Sequence, residues 1–527
     1  MFVTASFPTE SAFNEHLWSA PPDCLRVFGT RLHLIVGALA LVASQATATP
    51  NANSTKDLNG WYPCYDYTFA DEGPSPGKDA ECAIYRAPFC YPGICETPED
   101  VEPKVDIFVK RLLATSGNSA TAANVWLLQG GPGYSSTAIQ NGASTIVYGV
   151  SYGTMLVERL MHLAPPEVNG YVLDSIATSS GAPADEFMYT SNWDKDFGEA
   201  GDAFLALCDL DEECKTRFAT RGLNSTLEDL INQFDKNPNS TCAALITKVK
   251  SNGLDGRPSS SLRFALGSLL KEPFMRTVIP PLVYRLHRCA SKDINVLKKF
   301  VGTLTSLLSS KSEDDAYVSN VLYYLIAFSE MWEIPTPSKA EMKARYLGAK
   351  VSDDPMYPVD PVYCAFSKEK SAACEEFGLE ANSANPLMYK RDEYWNKSAT
   401  IPDGASVLLL SEKLDPQTHH KYAVSLLHAL NGDKKELITF EYAPHGVVSQ
   451  TQTVAGDPSS ETCGRMLLVS YVINNGDLEK MNKSCVDAMP AFNLTIPPYY
   501  QNNLLSTSDA YDGEYDAKLS SQQSASS

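Results

Sequence analysis

The chain has 527 residues, of which 44% are hydrophobic and 10% aromatic, a composition typical of globular proteins with one large or two ordinary domains. Its 43 basic and 63 acidic residues give a net charge of −20. A surface this acidic repels phosphate backbones and anionic lipids, so we expect neither nucleic-acid binding nor stable membrane association.

An apolar run at residues 32–43 follows Arg26 and Arg31 near the start of the chain. The small residues Ala46 and Ala48 come next, and the pattern predicts a secretory signal peptide cleaved after Ala48. The run is too short to span a bilayer permanently. The leader before it is longer than a signal peptide needs, which leaves an uncleaved anchor or an upstream extension of the coding sequence. The extension is favoured, because residues from Arg31 onwards already form a complete signal peptide.

Cysteines and glycosylation motifs agree with export. One of the 13 cysteines, Cys24, precedes the predicted cleavage point, so an even number remains. Three pairs are close in sequence: Cys90 and Cys95, Cys208 and Cys214, Cys364 and Cys374. Such spacing is typical of local disulfides, although pairing cannot be read from sequence, and no metal site is expected. Sequons begin at Asn53, Asn224, Asn239, Asn396, Asn482 and Asn493, which predicts a secreted glycoprotein.

The order of elements predicts an α/β fold. Short apolar strands are predicted at residues 105–109, 124–128, 145–148 and 171–173, with a helix at 154–163. Helical periodicity dominates residues 191–400, which predicts a lid over the sheet. Strands return at 406–410 and 437–442, with helices at 420–430 and 465–473. We therefore divide the chain into a leader (1–48), two core parts (49–190 and 401–500), the lid (191–400) and a polar, disordered tail (501–527).

Two glycine-containing motifs indicate a nucleophilic site. Residues 149–153, Gly-Val-Ser-Tyr-Gly, lie between a predicted strand and helix, which is the context of a nucleophile elbow with Ser151 as nucleophile. Residues 129–133, Gln-Gly-Gly-Pro-Gly, follow the preceding strand. The N–H groups of Gly131 and Tyr152 are the predicted oxyanion donors. For the glycine-rich segment, a plain tight turn is the alternative.

An acid and a base complete the predicted site. Asp415 follows the strand at 406–410, and His445 follows the last strand and precedes a glycine. The order Ser151, Asp415, His445 is that of an α/β-hydrolase triad, in which the histidine accepts the serine proton and the aspartate orients the histidine. The other histidines of the predicted mature chain fall within or beside helical patterns: His162, His287, His419, His420 and His428.

Together, the motifs Gln-Gly-Gly-Pro-Gly, Gly-x-Ser-Tyr-Gly, Leu-Asp-Pro-x-Thr and Pro-His-Gly resemble those of the prolyl iminopeptidase and tripeptidyl aminopeptidase family of secreted serine peptidases. The similarity extends from about Trp61 to Ile496. It implies an α/β-hydrolase fold with a helical lid, and release of residues or short peptides from polypeptide N-termini through an acyl-enzyme, without a cofactor. In the lid it makes Glu330 and Glu333 candidates for binding the substrate ammonium group, with a solvated helix face as the alternative.

The chain departs from that family between Gly133 and Thr145. Only residues 134–144 lie there, where the family has a further strand, an Asp-x-Arg-Gly turn and helices. A parallel crossover needs about 10–12 residues and usually a helix, so we expect one central strand-helix segment to be missing, through skipped coding sequence. Two other functions remain open: an esterase or lipase with the same triad, and an inactive secreted glycoprotein. Peptide preference and oligomeric state also remain open.

Overall fold

The computed structural model describes residues 3–7, 59–64, 80–88, 99, 102–112, 123–128, 130–132, 145–183, 186–251, 253–309, 319–379 and 384–521. The predicted signal peptide and the short segment 134–144 lie outside these residues. Within the described ranges, no helix is long and apolar enough to cross a membrane.

A nine-stranded sheet forms the centre of the molecule, with the order β2-β3-β4-β1-β5-β6-β7-β8-β9. The strands are β1 (Val3–Phe7), β2 (Tyr62–Cys64), β3 (Ala80–Pro88), β4 (Lys104–Leu112), β5 (Ala123–Leu128), β6 (Thr145–Ser151), β7 (Val168–Ile176), β8 (Ser406–Glu412) and β9 (Lys435–Phe440). Strands β5 to β9 are parallel to one another. Every residue of β8 is buried, as expected for a parallel strand covered on both faces.

The other part of the sheet is mixed. Strands β2, β3 and β4 form an antiparallel meander. Strand β1 pairs parallel with β4 and antiparallel with β5. The sequence assigns residues 3–7 to the leader and predicts a gap between the early strands and β5. In the structure β1 lies at that position.

Helices lie on both faces of the parallel strands, and a long series of them lies between β7 and β8 in the sequence. They are α1 (Gly153–Leu163), α2 (Trp193–Ala206), α3 (Glu212–Arg217), α4 (Gly222–Lys236), α5 (Thr241–Ile246), α6 (Pro258–Leu270), α7 (Ile279–Arg288), α8 (Asp293–Ser309), α9 (Asn320–Glu330), α10 (Lys339–Gly348), α11 (Asp360–Ser367), α12 (Ala372–Glu375), α13 (His420–Ala429), α14 (Val447–Gln450), α15 (Cys463–Ile473), α16 (Ser484–Asp487), α17 (Pro498–Tyr500) and α18 (Ala517–Ser521).

Alternate residues of the strands build two cores. Val147 and Leu409 face the side covered by α1 and α13. Tyr148 and Leu408 face the opposite side, which α15 covers. This alternation follows from the two-residue period of a strand. The molecule is therefore a mixed α/β protein whose parallel strands all end at one edge of the sheet.

All described elements between β7 and β8 are helical, from α2 to α12. The periodic segments at residues 227–234, 262–270 and 296–308 correspond to α4, α6 and α8, and residues 321–332 overlap α9. These helices bury a core of their own that includes Leu227, Leu266 and Phe300. We refer to residues 191–400 as the lid.

The C-terminal tail differs from its predicted disorder. Residues 501–505 form a π-helical turn, and Leu504 and Leu505 are buried against the lid core. The buried Arg285 guanidinium donates hydrogen bonds to the carbonyl oxygens of Asp509, Ala510 and Gly513. The polar composition of the tail gives no sign of these contacts, so the sequence predicts disorder there.

Five disulfides lie in the described part of the chain: Cys64–Cys82, Cys208–Cys214, Cys242–Cys289, Cys364–Cys374 and Cys463–Cys485. The predicted local disulfides of Cys208 with Cys214 and of Cys364 with Cys374 are confirmed. Cys90 and Cys95 lie outside the described residues. A set of disulfides this large is typical of proteins from oxidising compartments.

Candidate active site

Ser151 lies at the sharp turn between β6 and α1, and its φ angle is 57°. Non-glycine residues rarely adopt this left-handed conformation, and strained backbone of this kind is typical of a nucleophile elbow. The preceding glycine is required by space, because a Cβ atom on Gly149 would lie 2.4 Å from the Gly153 carbonyl oxygen. The Thr154 hydroxyl lies 2.6 Å from the Ser151 carbonyl oxygen and braces the turn.

The glycine-rich segment after β5 lies directly against the elbow. A Cβ atom on Gly130 would lie 2.7 Å from Ser151 Cβ and 3.2 Å from Ser151 Oγ. Gly131 has a φ of 117°, a backbone conformation that would be strained for a residue with a side chain. Tyr152 is the N-cap of α1, where backbone N–H groups point out of the helix. The two predicted oxyanion donors, Gly131 and Tyr152, therefore belong to segments on either side of Ser151. Gln129 and Gly133 lie outside the described residues.

Asp415 and His445 are in contact. His445 Nδ1 lies 2.7 Å from Asp415 Oδ2. Asp415 is fully buried, and its Oδ1 accepts hydrogen bonds from the N–H groups of Gln417 (2.7 Å) and Thr418 (3.0 Å). The Thr418 hydroxyl donates to Oδ2 (2.7 Å). The Leu-Asp-Pro-Gln-Thr turn thus fixes the carboxylate that faces the imidazole.

Each partner shifts the pKa of the other. Burial alone raises the pKa of Asp415, but the charge and hydrogen bond of His445, with those from Thr418, bring it below its usual value. Burial alone lowers the pKa of His445, but Asp415, and more weakly Asp174, raise it above its usual value. Asp415 is therefore ionised at neutral pH and stabilises a proton on the imidazole.

The described part of the chain contains no hydrogen bond between the Ser151 hydroxyl and His445. Because Asp415 holds Nδ1, the nitrogen left to accept the serine proton is Nε2. A nucleophile and its base are often farther apart in a free enzyme than in its substrate complex. The structure therefore brings together the acid with the base, and the elbow with the glycine-rich segment.

A buried aspartate that the sequence left without a role holds the chain after His445. Asp174, near the end of β7, accepts hydrogen bonds from the N–H groups of Val447 (2.8 Å) and Val448 (3.0 Å). It also accepts one from the hydroxyl of Tyr148 on β6 (2.7 Å). Asp174 thus connects the strand that carries Ser151 to the loop that carries His445. Its position at a strand end is the only sequence signal.

Ser175 and Glu412 extend this buried polar group. The Ser175 hydroxyl donates to Glu412 Oε1 (2.7 Å) and accepts from the Gly446 N–H (2.6 Å). Burial, followed by the negative charges of Asp415 and Asp174, raises the pKa of Glu412 well above its usual value. This favours the protonated form of Glu412, whereas Asp415 is the carboxylate in contact with His445.

Glu330, at the end of α9, reaches the elbow. Its Oε2 accepts a hydrogen bond from the Tyr152 hydroxyl (2.9 Å), and its Oε1 accepts one from the Tyr389 hydroxyl. Within the described residues Glu330 forms no ion pair, so neutral donors hold its carboxylate. A partly exposed carboxylate without an ion pair, hydrogen-bonded to the residue after Ser151, can accept a cationic group of a ligand.

Glu333 is in a different environment. Its carboxylate pairs with both Nη atoms of Arg345, at 2.5 and 3.3 Å, and accepts a hydrogen bond from the Ser191 hydroxyl at 2.5 Å. Arg345 neutralises its charge, so Glu333 holds α10 against the start of the lid. The two predicted ammonium ligands are therefore not equivalent.

No protein-family model matches the chain, and no curated protein matches its sequence. Among the described residues, no cluster of His, Cys, Asp or Glu is arranged to hold a metal ion.

Proposed function

We propose that this chain is a secreted serine exopeptidase with an α/β-hydrolase fold, which releases residues or short peptides from the N-termini of polypeptides. The observation that carries the proposal is the 2.7 Å contact between Asp415 and His445 at the sheet edge where Ser151 occupies a strained elbow. Five parallel strands, the order Ser151, Asp415, His445, and a helical lid between β7 and β8 support it further.

The proposed reaction begins when Ser151 Oγ attacks the carbonyl carbon of the scissile peptide bond, while its proton passes to His445 Nε2. The carbonyl oxygen gains charge and accepts hydrogen bonds from the N–H groups of Gly131 and Tyr152. His445 then gives the proton to the leaving amine, and an acyl-enzyme remains on Ser151. A water molecule, deprotonated by His445, hydrolyses this ester and restores the serine.

Selection for a free N-terminus is assigned to Glu330. Its carboxylate lies on the Tyr152 side of the elbow and has no ion pair among the described residues. An ammonium group there gains a charge-assisted hydrogen bond, which fixes the distance from the peptide N-terminus to the scissile bond. Glu333 is excluded from this role because Arg345 already neutralises it.

A fluorophosphonate probe and a pair of substrates test the proposal. Purified protein should be labelled at Ser151 and should hydrolyse an aminoacyl-amide, and Ser151→Ala should reduce kcat by about 10⁴-fold or more. Glu330→Gln should raise KM about tenfold for the free-amine substrate and leave an N-acetylated ester unaffected. Glu333→Gln is the matched control and should leave the KM values of both substrates unchanged. Hydrolysis of short acyl esters alone would indicate an esterase or lipase instead.

A catalytically inactive secreted glycoprotein is the second candidate. The observation in its favour is that no hydrogen bond joins Ser151 to His445 within the described residues. A folded, disulfide-bonded protein that leaves Ser151 unlabelled by the probe would establish this candidate and exclude the peptidase.

A further inference from the structure

A cavity of about 640 Å³ lies beside the edge strand β9. Its walls come from Pro273–Thr277 in the lid, from the end of β9 and the residues after it, and from the C-terminal segment 489–498. Ala443 and Gln450 line it, so it borders the His445 loop, yet neither Ser151 nor His445 is among its lining residues.

Arg276 lines this cavity and is only 7% exposed. Its Nη2 donates a hydrogen bond to the Tyr442 carbonyl oxygen, whereas its Nη1 has no hydrogen-bond partner. The described residues contain no carboxylate in an ion pair with Arg276. Burying an arginine in this way is costly, because the guanidinium loses its water and gains no counter-charge.

The charge of Arg276 is not offset elsewhere in the cavity wall. Glu441 is the one carboxylate in that wall, and it pairs with Lys413 at 2.7 Å, with both side chains about half exposed. Burial lowers the pKa of Arg276 to about 10, so the guanidinium is still charged at neutral pH. The cavity therefore contains one uncompensated, desolvated cation.

The remaining wall is largely apolar. Aromatic rings come from Phe274, Tyr442 and Phe492, and aliphatic groups from Val454 and Ile496. A wall of this kind binds a hydrophobic body, and the Nη1 group of Arg276, which has no partner, can donate a charge-assisted hydrogen bond to a carboxylate.

We propose that this cavity is a second binding site, distinct from the triad, which takes a monocarboxylate with an apolar or aromatic body and pairs the carboxylate with Arg276. The ligand replaces the counter-charge that the chain itself does not supply. The site does not depend on the chemistry of Ser151, so it stands or falls separately from the peptidase proposal.

Calorimetric titration of the wild-type protein with 4-phenylbutyrate and with its neutral amide tests the charge requirement. The carboxylate should bind at least about tenfold more tightly than the amide, since one desolvated charge pair accounts for that ratio. Equal binding of the two probes, or no binding of the carboxylate, overturns the proposal without any variant. Asn493 lines the cavity and begins a sequon, so the titration is repeated with Asn493→Gln.

Substitutions then locate the site. Arg276→Met should weaken carboxylate binding about tenfold and leave amide binding unchanged, and Arg276→Lys should give an intermediate loss. Arg86→Met, at an exposed position on β3, is the control for net charge and should have no effect. Ser151→Ala should also bind normally. Loss of binding in Ser151→Ala, or unchanged binding in a folded Arg276→Met, would place the ligand elsewhere and overturn the proposal.

Discussion

Buried carboxylates occur both at the carboxyl edge of the sheet and in the lid, and their environments differ. Asp415 and Asp360 are both fully buried. Asp415 accepts three hydrogen bonds from its own turn and contacts His445, whereas neither oxygen of Asp360 has a hydrogen-bond partner. The pKa of Asp415 is accordingly lowered, while burial raises that of Asp360 to about 7. The contact with His445, and not depth, separates the buried carboxylate that keeps its charge from the one that does not.

Two further lid carboxylates also have raised pKa values, although each of them accepts hydrogen bonds. Burial raises the pKa of Asp194 to about 7, against hydrogen bonds from Met356 and Ser352. Burial and the neighbouring charge of Asp353 raise the pKa of Asp354 to about 7. These lid carboxyl groups therefore hold protons at a pH where Asp415 is ionised.

The largest expected effect comes from replacing the two aspartates in parallel. Asp415→Asn should lower kcat by about 10⁴-fold, because an amide cannot stabilise the imidazolium or fix the correct tautomer of His445. Asp360→Asn should leave kcat within about twofold, because it removes a group that makes no hydrogen bond. Steady-state kinetics on an aminoacyl-amide measure both. A comparable loss of kcat in Asp360→Asn would show that the two aspartates do not differ in their importance for hydrolysis.

A smaller effect is expected for Asp174→Asn. One carboxylate oxygen becomes an NH₂ donor, so one of the N–H groups of Val447 and Val448 loses its acceptor and His445 is less well positioned; we expect kcat to fall about 10- to 100-fold with KM unchanged.

The pH dependence of kcat shows whether Asp174 acts on His445 or only supports the fold. The negative charge of Asp174 raises the pKa of His445, so its removal lowers that pKa. Hydrolysis requires neutral His445, and the acid limb of the kcat profile should therefore move to lower pH in Asp174→Asn. A fall in kcat without this shift would mean that Asp174 only supports the fold.

The smallest effect concerns stability. A carboxyl group whose pKa is raised from 3.8 to about 7 by folding keeps its proton in the folded state and loses it in the unfolded state. Its contribution to stability is therefore complete below about pH 4 and is lost as the pH rises towards and through 7.

Denaturant unfolding between pH 4 and 8 measures this dependence. The free energy of unfolding of Asp360→Asn should fall less steeply with pH than that of the wild type. A pKa raised from 3.8 to about 7 corresponds to about 4 kcal/mol before solvent screening, so we expect a difference of at least about 1 kcal/mol over the range. Asp209→Asn makes the same change in charge at an exposed position and should follow the wild-type curve. Parallel curves for all three proteins would contradict the buried, protonated state of Asp360.

The sequence predicted the features that depend on neighbouring residues. The glycines at positions 149 and 153 indicate the elbow, and at position 149 the turn itself leaves no room for a side chain. The strand and helix assignments around Ser151, Asp415 and His445 follow from short apolar periodicities, which the structure confirms in the strands and helices that it describes.

Features that depend on distant pairs were not predicted. Tyr148 on β6 forms a hydrogen bond with Asp174 on the neighbouring strand β7, and Glu330 forms one with Tyr152, which lies 178 residues away in the sequence. No local sequence pattern encodes either contact. The tail was given a disordered assignment because its polar composition masks the carbonyl groups that Arg285 binds. Glu330 and Glu333 look equivalent in sequence, and the position of Arg345 separates them.

The disulfides have a consequence for how the lid is attached. Each of the five in the described chain closes a loop within one region, the longest between positions 47 residues apart, and none of them links the lid to the sheet. The contacts between the lid and the rest of the molecule are noncovalent. In the lid, Asp196 contacts Lys421 and Tyr422 of α13, and Asp392 pairs with Arg159 of α1. As far as the described disulfides go, the lid and the sheet can therefore separate without any of these bonds breaking.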